Sequence, residues 1–212
     1  MNSQLIPLSE DKNFLEIVEL IKGATAAHFK YLQMASTKFK NEENISRINS
    51  LIKELKNSRN ERNQTIPASF FEITGLKPDE FSIFTDEIKK RLNTLKTIFP
   101  GIFNLKRHKL VSLLFDAIRM SSLANSLPPG TPTSVGTATE ESDDNKGCYL
   151  WCQALFALQL GLPYVALISA LAGCILTGPF WPVCAAIALA TYLLAVYHIN
   201  KDAEDCVEEC GG

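Results

Sequence analysis

Six cysteines, all in the last 65 residues of a 212-residue chain, stand in mirror positions about Pro179. Cys148 and Cys210 each lie 31 residues from that proline, Cys152 and Cys206 each 27, and Cys174 and Cys184 each 5. If the chain folds back near Pro179 as two antiparallel helices, equal residue counts give equal rises and each cysteine comes level with its mirror partner. Six cysteines allow 15 pairings in general. The mirror spacing selects one of them: Cys148 with Cys210, Cys152 with Cys206, and Cys174 with Cys184.

The geometry supports helices on both arms. CYLWC at 148–152 and CVEEC at 206–210 each place two cysteines four residues apart, which on a helix is one face, one turn above the other. Cys152 to Cys174 and Cys184 to Cys206 are both 22 residues, a separation that returns to within about 40° around a straight helix and rises about 33 Å. That rise is close to the roughly 30 Å hydrocarbon core of a bilayer. The bend is predicted at TGPFWP, where Gly178, Pro179 and Pro182 end one helix and begin the next. Disulfides hold Cα atoms closer than packed helices usually come, so small residues should line the seam, with Ala170 facing Ala188, Pro163 facing Ala195 and Ala166 facing Tyr192. Gly161 and Pro163 should kink the first arm, because the proline ring removes a backbone donor.

Charge divides the chain in the same place. Residues 1–125 hold 19 Lys and Arg against 14 Asp and Glu, whereas residues 126–212 hold 2 against 9. From Gly147 to Asn200 there is no Asp, Glu, Lys or Arg, and a stretch of that kind needs a membrane or a protein cover. Residues 126–147, SLPPGTPTSVGTATEESDDNKG, are Pro, Gly, Ser, Thr and acid with almost no large apolar group, the composition of a flexible linker and a protease target.

The remaining part is predicted to be a small helical bundle. Phe14, Val18, Ile21, Ala24, His28 and Leu32 recur at helical spacing behind Ser9 as N-cap. Ile45, Ile48, Leu51, Ile52 and Leu55 form a narrow stripe on an otherwise polar, solvated helix. Gly75 stops a short apolar turn, and Pro78 opens a helix carrying Phe81, Phe84, Ile88, Leu92 and Leu95 that ends at Phe99-Pro100-Gly101. Leu110, Leu113, Leu114, Ala117 and Ile118 mark a further helix reaching about Asn125. No useful run of period-two alternation occurs. The expected architecture is therefore all-α: a helical leader or shield domain over 1–125, a linker over 126–147, and a six-cysteine apolar helical hairpin over 148–212.

Catalytic and cofactor motifs are missing from the sequence. There is no nucleophile elbow, phosphate-binding glycine loop, His-Glu-x-x-His or paired carboxylate, and His28, His108 and His198 are scattered with no companion motif. The short basic run KRHK at 106–109 reads as a solvated helix start and not as a nucleic-acid patch. A zinc reading of the two Cys-x3-Cys turns would leave Cys174 and Cys184 unexplained. The expectation is a protein that is not an enzyme and has no metal, cofactor or nucleic-acid partner.

In the spacing of CYLWC and CVEEC the chain resembles the α-hairpinin peptides, whose two Cys-x3-Cys turns are joined by two disulfides across a helical hairpin. The overall plan is similar to the halocin C8 type of bacteriocin precursor, in which a larger cysteine-free part precedes a compact, apolar, cysteine-rich helical peptide. The likeness covers residues 148–210 and is one of composition; there are fewer cysteines here and no twin-arginine signal. It implies the precursor of a membrane-active antimicrobial peptide, with the lipid membrane of a target cell as its partner, together with an exporter, a processing protease and an immunity protein. The opening MNSQLIPLSEDKNF lacks the basic flank and apolar core of a secretory signal, while disulfides persist in oxidising compartments. The expected location is thus secreted or membrane-associated by a non-standard route. The mostly acidic flanks of the hairpin, where cytoplasmic flanks usually carry excess Lys and Arg, also place its clasped end outside the cytoplasm. The contrasting expectation is a non-toxic membrane-anchored interaction protein with a two-helix apolar hairpin.

Overall fold

A computed structural model of the protein describes residues 5–34, 41–60, 64–120, 148, 151–152 and 163–211. Among them every regular element is helical. The N-terminal part comprises α1 (Leu5–Glu10), α2 (Lys12–Met34), α3 (Asn41–Asn60), α4 (Ala68–Thr74), α5 (Pro78–Ile98), α6 (Pro100–Phe103) and α7 (Arg107–Met120). The C-terminal part comprises α8 (163–174), a 3-10 turn (Ile175–Phe180) and α9 (Trp181–Gly211). The proposed linker, 126–147, the kink residue Gly161 and the first arm between 153 and 162 lie outside the described residues.

Local chemistry sets most of the helix ends. Asp11 separates α1 from α2, and its carboxylate accepts from the amides of Asn13 (2.8 Å) and Phe14 (3.2 Å), satisfying two of the donors that a helix start leaves open. The expected cap, Ser9, instead lies buried inside α1. A carboxylate two residues later is the better acceptor, and the extra turn Leu5–Glu10 absorbs the serine. Gly75 ends α4 with φ 72°, a left-handed conformation that costs glycine little, and its amide donates to the Phe71 carbonyl. Pro78 opens α5, where the Glu80 carboxylate accepts from the Lys77 amide at 3.0 Å. Phe99 and Pro100 close α5 and start α6.

The buried stripes follow the periodicity of the sequence. Phe14, Ile17, Val18 and Ile21 of α2, Ile48, Leu51, Ile52 and Leu55 of α3, and Phe81, Phe84, Ile88, Leu92 and Leu95 of α5 are all buried. Phe70 of α4 meets Phe81 edge-on with ring centroids 4.8 Å apart. α2 packs on α5, α1 on α7, and α3 along α9. The result is one continuous apolar core running from Leu8 through these helices to Tyr197 of α9.

That continuity answers the question the uncharged run poses. Pro163–Cys210 is long and apolar enough to cross a membrane, yet 61% of its most apolar window is buried inside the protein. Tyr164, Val165, Leu167, Ile168 and Leu171 of α8 and Val183, Ala186, Leu189, Leu193 and Val196 of α9 are buried. The other side of the hairpin, including Ala166, Gly173, Leu176, Thr191 and His198, is open.

Candidate functional site

The hairpin is closed at both ends by sulfur. Cys148 is bonded to Cys210 and Cys152 to Cys206 at the clasped end, and Cys174 to Cys184 at the bend, with Cα separations of 5.7, 6.0 and 5.6 Å. Helix axes roughly 8 to 10 Å apart bring facing Cα atoms to about 3.4 to 5.4 Å, so these rungs fit ordinary helix packing and do not require the unusually close approach expected from the sequence. At the clasp, the sulfurs of Cys152 and Cys210, which belong to different bonds, stand 3.6 Å apart. Cys152 and Cys210 are buried, while Cys148 and Trp151 are exposed.

The bend uses the predicted residues in distinct ways. Gly178 adopts φ 60° and ψ −118°, where a side chain would be strained although the space around it is open. Pro179 lies inside the 3-10 turn, and Pro182 sits in the first turn of α9 beside Trp181. Thr177 donates its hydroxyl proton to the Cys174 carbonyl at 2.7 Å, satisfying an acceptor at the end of α8.

Small residues alternate along the seam with the larger Leu167, Ile187 and Tyr192. Pro163, Ala166, Ala170 and Gly173 of α8 and Ala188, Thr191 and Ala195 of α9 border a groove of about 580 Å³ on the open side. Tyr192 is met by the ring of Tyr164, edge to face, with centroids 5.3 Å apart.

Two buried polar contacts tie the hairpin to the N-terminal helices. Thr25 of α2 donates to the Ile21 carbonyl at 2.7 Å, so its single hydroxyl proton is committed, and the Tyr192 hydroxyl 3.1 Å away is the donor to Thr25. One turn further along, His28 lies 2.9 Å from both the Thr74 carbonyl, through Nδ1, and the Tyr197 hydroxyl, through Nε2. A carbonyl only accepts, which puts the imidazole proton on Nδ1 and leaves Nε2 to accept from Tyr197. His28 thus joins α2, α4 and α9 at a point 2% exposed. An outer contact between Lys201 and Glu42 at 2.9 Å is exposed and weak by comparison.

His28 was readable from the sequence only as a packing residue. Its place on the stripe of Phe14, Val18 and Ile21 signalled burial; nothing local signalled the Tyr197 partner, 169 residues away. The contact between Thr25 and Tyr192, 167 residues apart, carried no local signal either, and Tyr192 was legible only as a seam residue. His108 has no described side chain, and His198 is exposed. KRHK falls at the start of α7, with Lys109 exposed.

The buried imidazole makes the tie sensitive to acid. Burial lowers its pKa below the ordinary histidine value, and the hydrogen bond to Thr74 offsets this only in part. The folded state therefore resists a proton that the unfolded chain takes up near pH 6.5. Stability is full above that pH and is lost as pH falls through it, by up to about 1.4 kcal/mol per pH unit. Thermal melts should show the native protein losing stability from pH 7 to 5.5 and His28→Gln losing distinctly less; parallel profiles would assign the acid effect to other groups.

Comparison of the chain with protein-family models, curated proteins and solved structures returns no match.

Proposed function

We propose that the chain is the precursor of a membrane-active, pore-forming antimicrobial peptide, with residues 148–212 as the active part and residues 1–125 as its cover. One observation carries the reading. The apolar hairpin is cross-linked only to itself, while its inner face is buried against helices to which no disulfide binds it. A single cut in residues 126–147 would leave cover and hairpin joined by non-covalent contacts alone.

A lipid surface can then compete for the hairpin. The side chains of Val165, Ile168, Leu189, Leu193 and Val196, buried by protein here, would be buried by acyl chains instead, at little net change in apolar exposure. The α-helical backbone of α8 and α9 carries its hydrogen bonds internally, as a membrane requires. The small-residue groove would allow hairpins to pack closely on one another in lipid, where association depends on close contact. In this reading the exporter, processing protease and immunity protein act on the chain before and after the cut, and the product works outside the producing cell.

The test is dye release from liposomes. Full-length protein should release little dye, protein cut within 126–147 should release most of it, and the cut protein with its disulfides reduced should release less. Cut, oxidised protein that leaves the vesicles sealed would overturn the reading. Uncut protein held in the producer's own membrane would favour the anchored interaction protein.

A further inference from the structure

We propose that, when its disulfides are reduced, the clasp is a zinc site in which Cys148, Cys152, Cys206 and Cys210 supply four thiolates to one ion. The inference rests on the sulfur positions and not on the membrane-active reading. The sulfurs of Cys148, Cys152 and Cys210 all lie within 4.8 Å of one another. The unbonded pair Cys152 and Cys210 is 3.6 Å apart, and the fourth sulfur, of Cys206, is bonded to that of Cys152.

A tetrahedron with zinc–sulfur distances of about 2.3 Å has edges of about 3.8 Å. The unbonded pair already stands near that edge length. Each bonded pair needs to part by about 1.8 Å, and the Cys206 sulfur, which lies outside the 4.8 Å cluster of the other three, must also turn inward by side-chain rotation with the Cα atoms held at 5.7 and 6.0 Å. Four thiolates on two facing helices select a soft, tetrahedral ion, zinc among the common ones. Cys174 and Cys184, at the other end of the hairpin, take no part.

The surroundings are acidic. Asp205, Glu208 and Glu209 are exposed on the same stretch of α9; they attract the cation and raise the cost of the dianionic centre, and exposure lets water screen both effects. Exposed Cys148 gives the ion a route in and out. Binding converts four thiols and Zn²⁺ to the tetrathiolate and four released protons, so affinity falls in acid. Oxidation by a small-molecule disulfide reverses it. Two oxidant molecules accept two electrons each, their two S–S bonds break to four thiolates, two cysteine disulfides form, and Zn²⁺ leaves. The same four residues would then close the hairpin in a reducing compartment through metal and in an oxidising one through sulfur.

The experiment uses the full-length chain, reduced with a phosphine and titrated anaerobically with Co²⁺ and then Zn²⁺. One equivalent of cobalt should give the visible spectrum of a tetrahedral tetrathiolate, and one of zinc should erase it. Cys206→Ser should weaken binding by at least about 100-fold, the upper range for loss of a mere outer-shell partner, while the double variant Cys174→Ser, Cys184→Ser should bind like the parent. Glutathione disulfide should release zinc to a chromogenic chelator in step with the loss of free thiols. Absence of a cobalt spectrum, or equal affinity in Cys206→Ser, would overturn the proposal. So would binding by a reduced chain whose far-UV signal shows lost helix that zinc fails to restore, because the hairpin would then not be holding the ligands.

Discussion

Serine at all four clasp positions, Cys148, Cys152, Cys206 and Cys210, is expected to lower the unfolding free energy by about 7 kcal/mol. Cys174–Cys184 already shortens the chain path between the arms, so closing Cys152–Cys206 across what remains is worth about 4 kcal/mol in the chain-entropy model. Cys148–Cys210 then closes only the small ring between two neighbouring rungs and adds less. Removing that outer bond alone, by Cys148→Ser with Cys210→Ser, should cost about 3 kcal/mol. A domain's whole stability is about 5 to 15 kcal/mol, so the four-serine variant should sit near the edge of folding while the outer-pair variant stays folded. Denaturant titration without reductant measures both. A four-serine variant within about 1 kcal/mol of the native protein would mean that the cover alone holds the hairpin shut.

The second large effect is expected at the cover itself. α3 packs along α9, and Leu55 of α3 is completely buried. Leu55 belongs to the apolar core that α3 shares with α9, and Leu55→Ala leaves a cavity there, at a cost of about 2 to 5 kcal/mol. It should also raise the fluorescence of a dye that binds exposed apolar surface, because the side losing its partner is the uncharged hairpin. Glu42→Ala, which breaks only the exposed ion pair with Lys201, should change stability by less than about 1 kcal/mol. If the two substitutions weigh the same, the contact between α3 and α9 contributes little in solution.

How far the fold could be read in advance depended on whether the signal was local or mirrored. The staples were legible because antiparallel helices convert equal chain distances into equal heights, so position numbers alone aligned Cys174 with Cys184 and Cys152 with Cys206. Gly75, Pro78 and Gly178 were legible because each backbone role suits few residue types. The cap on α2 was misplaced from Asp11 to Ser9, since both fit and only the neighbouring turn Leu5–Glu10 decides between them. Composition could not distinguish a lipid cover from a protein one. The run from Gly147 to Asn200 reads identically in both cases, and α3 looked mostly solvated because a single stripe, Ile48 to Leu55, is all it needs to lie on α9. The contacts of Thr25 with Tyr192 and His28 with Tyr197 join residues 167 and 169 positions apart, a relation that no spacing rule carries.

Release of the hairpin from its cover is the step on which the functional reading turns, and flotation with liposomes follows it. The oxidised protein, cut within 126–147 and mixed with vesicles, should divide on a density gradient. Residues 148–212 should rise with the lipid, with all three disulfides intact, and the N-terminal helices should stay below. Both parts remaining together at the bottom would contradict a hairpin held in reserve for a membrane.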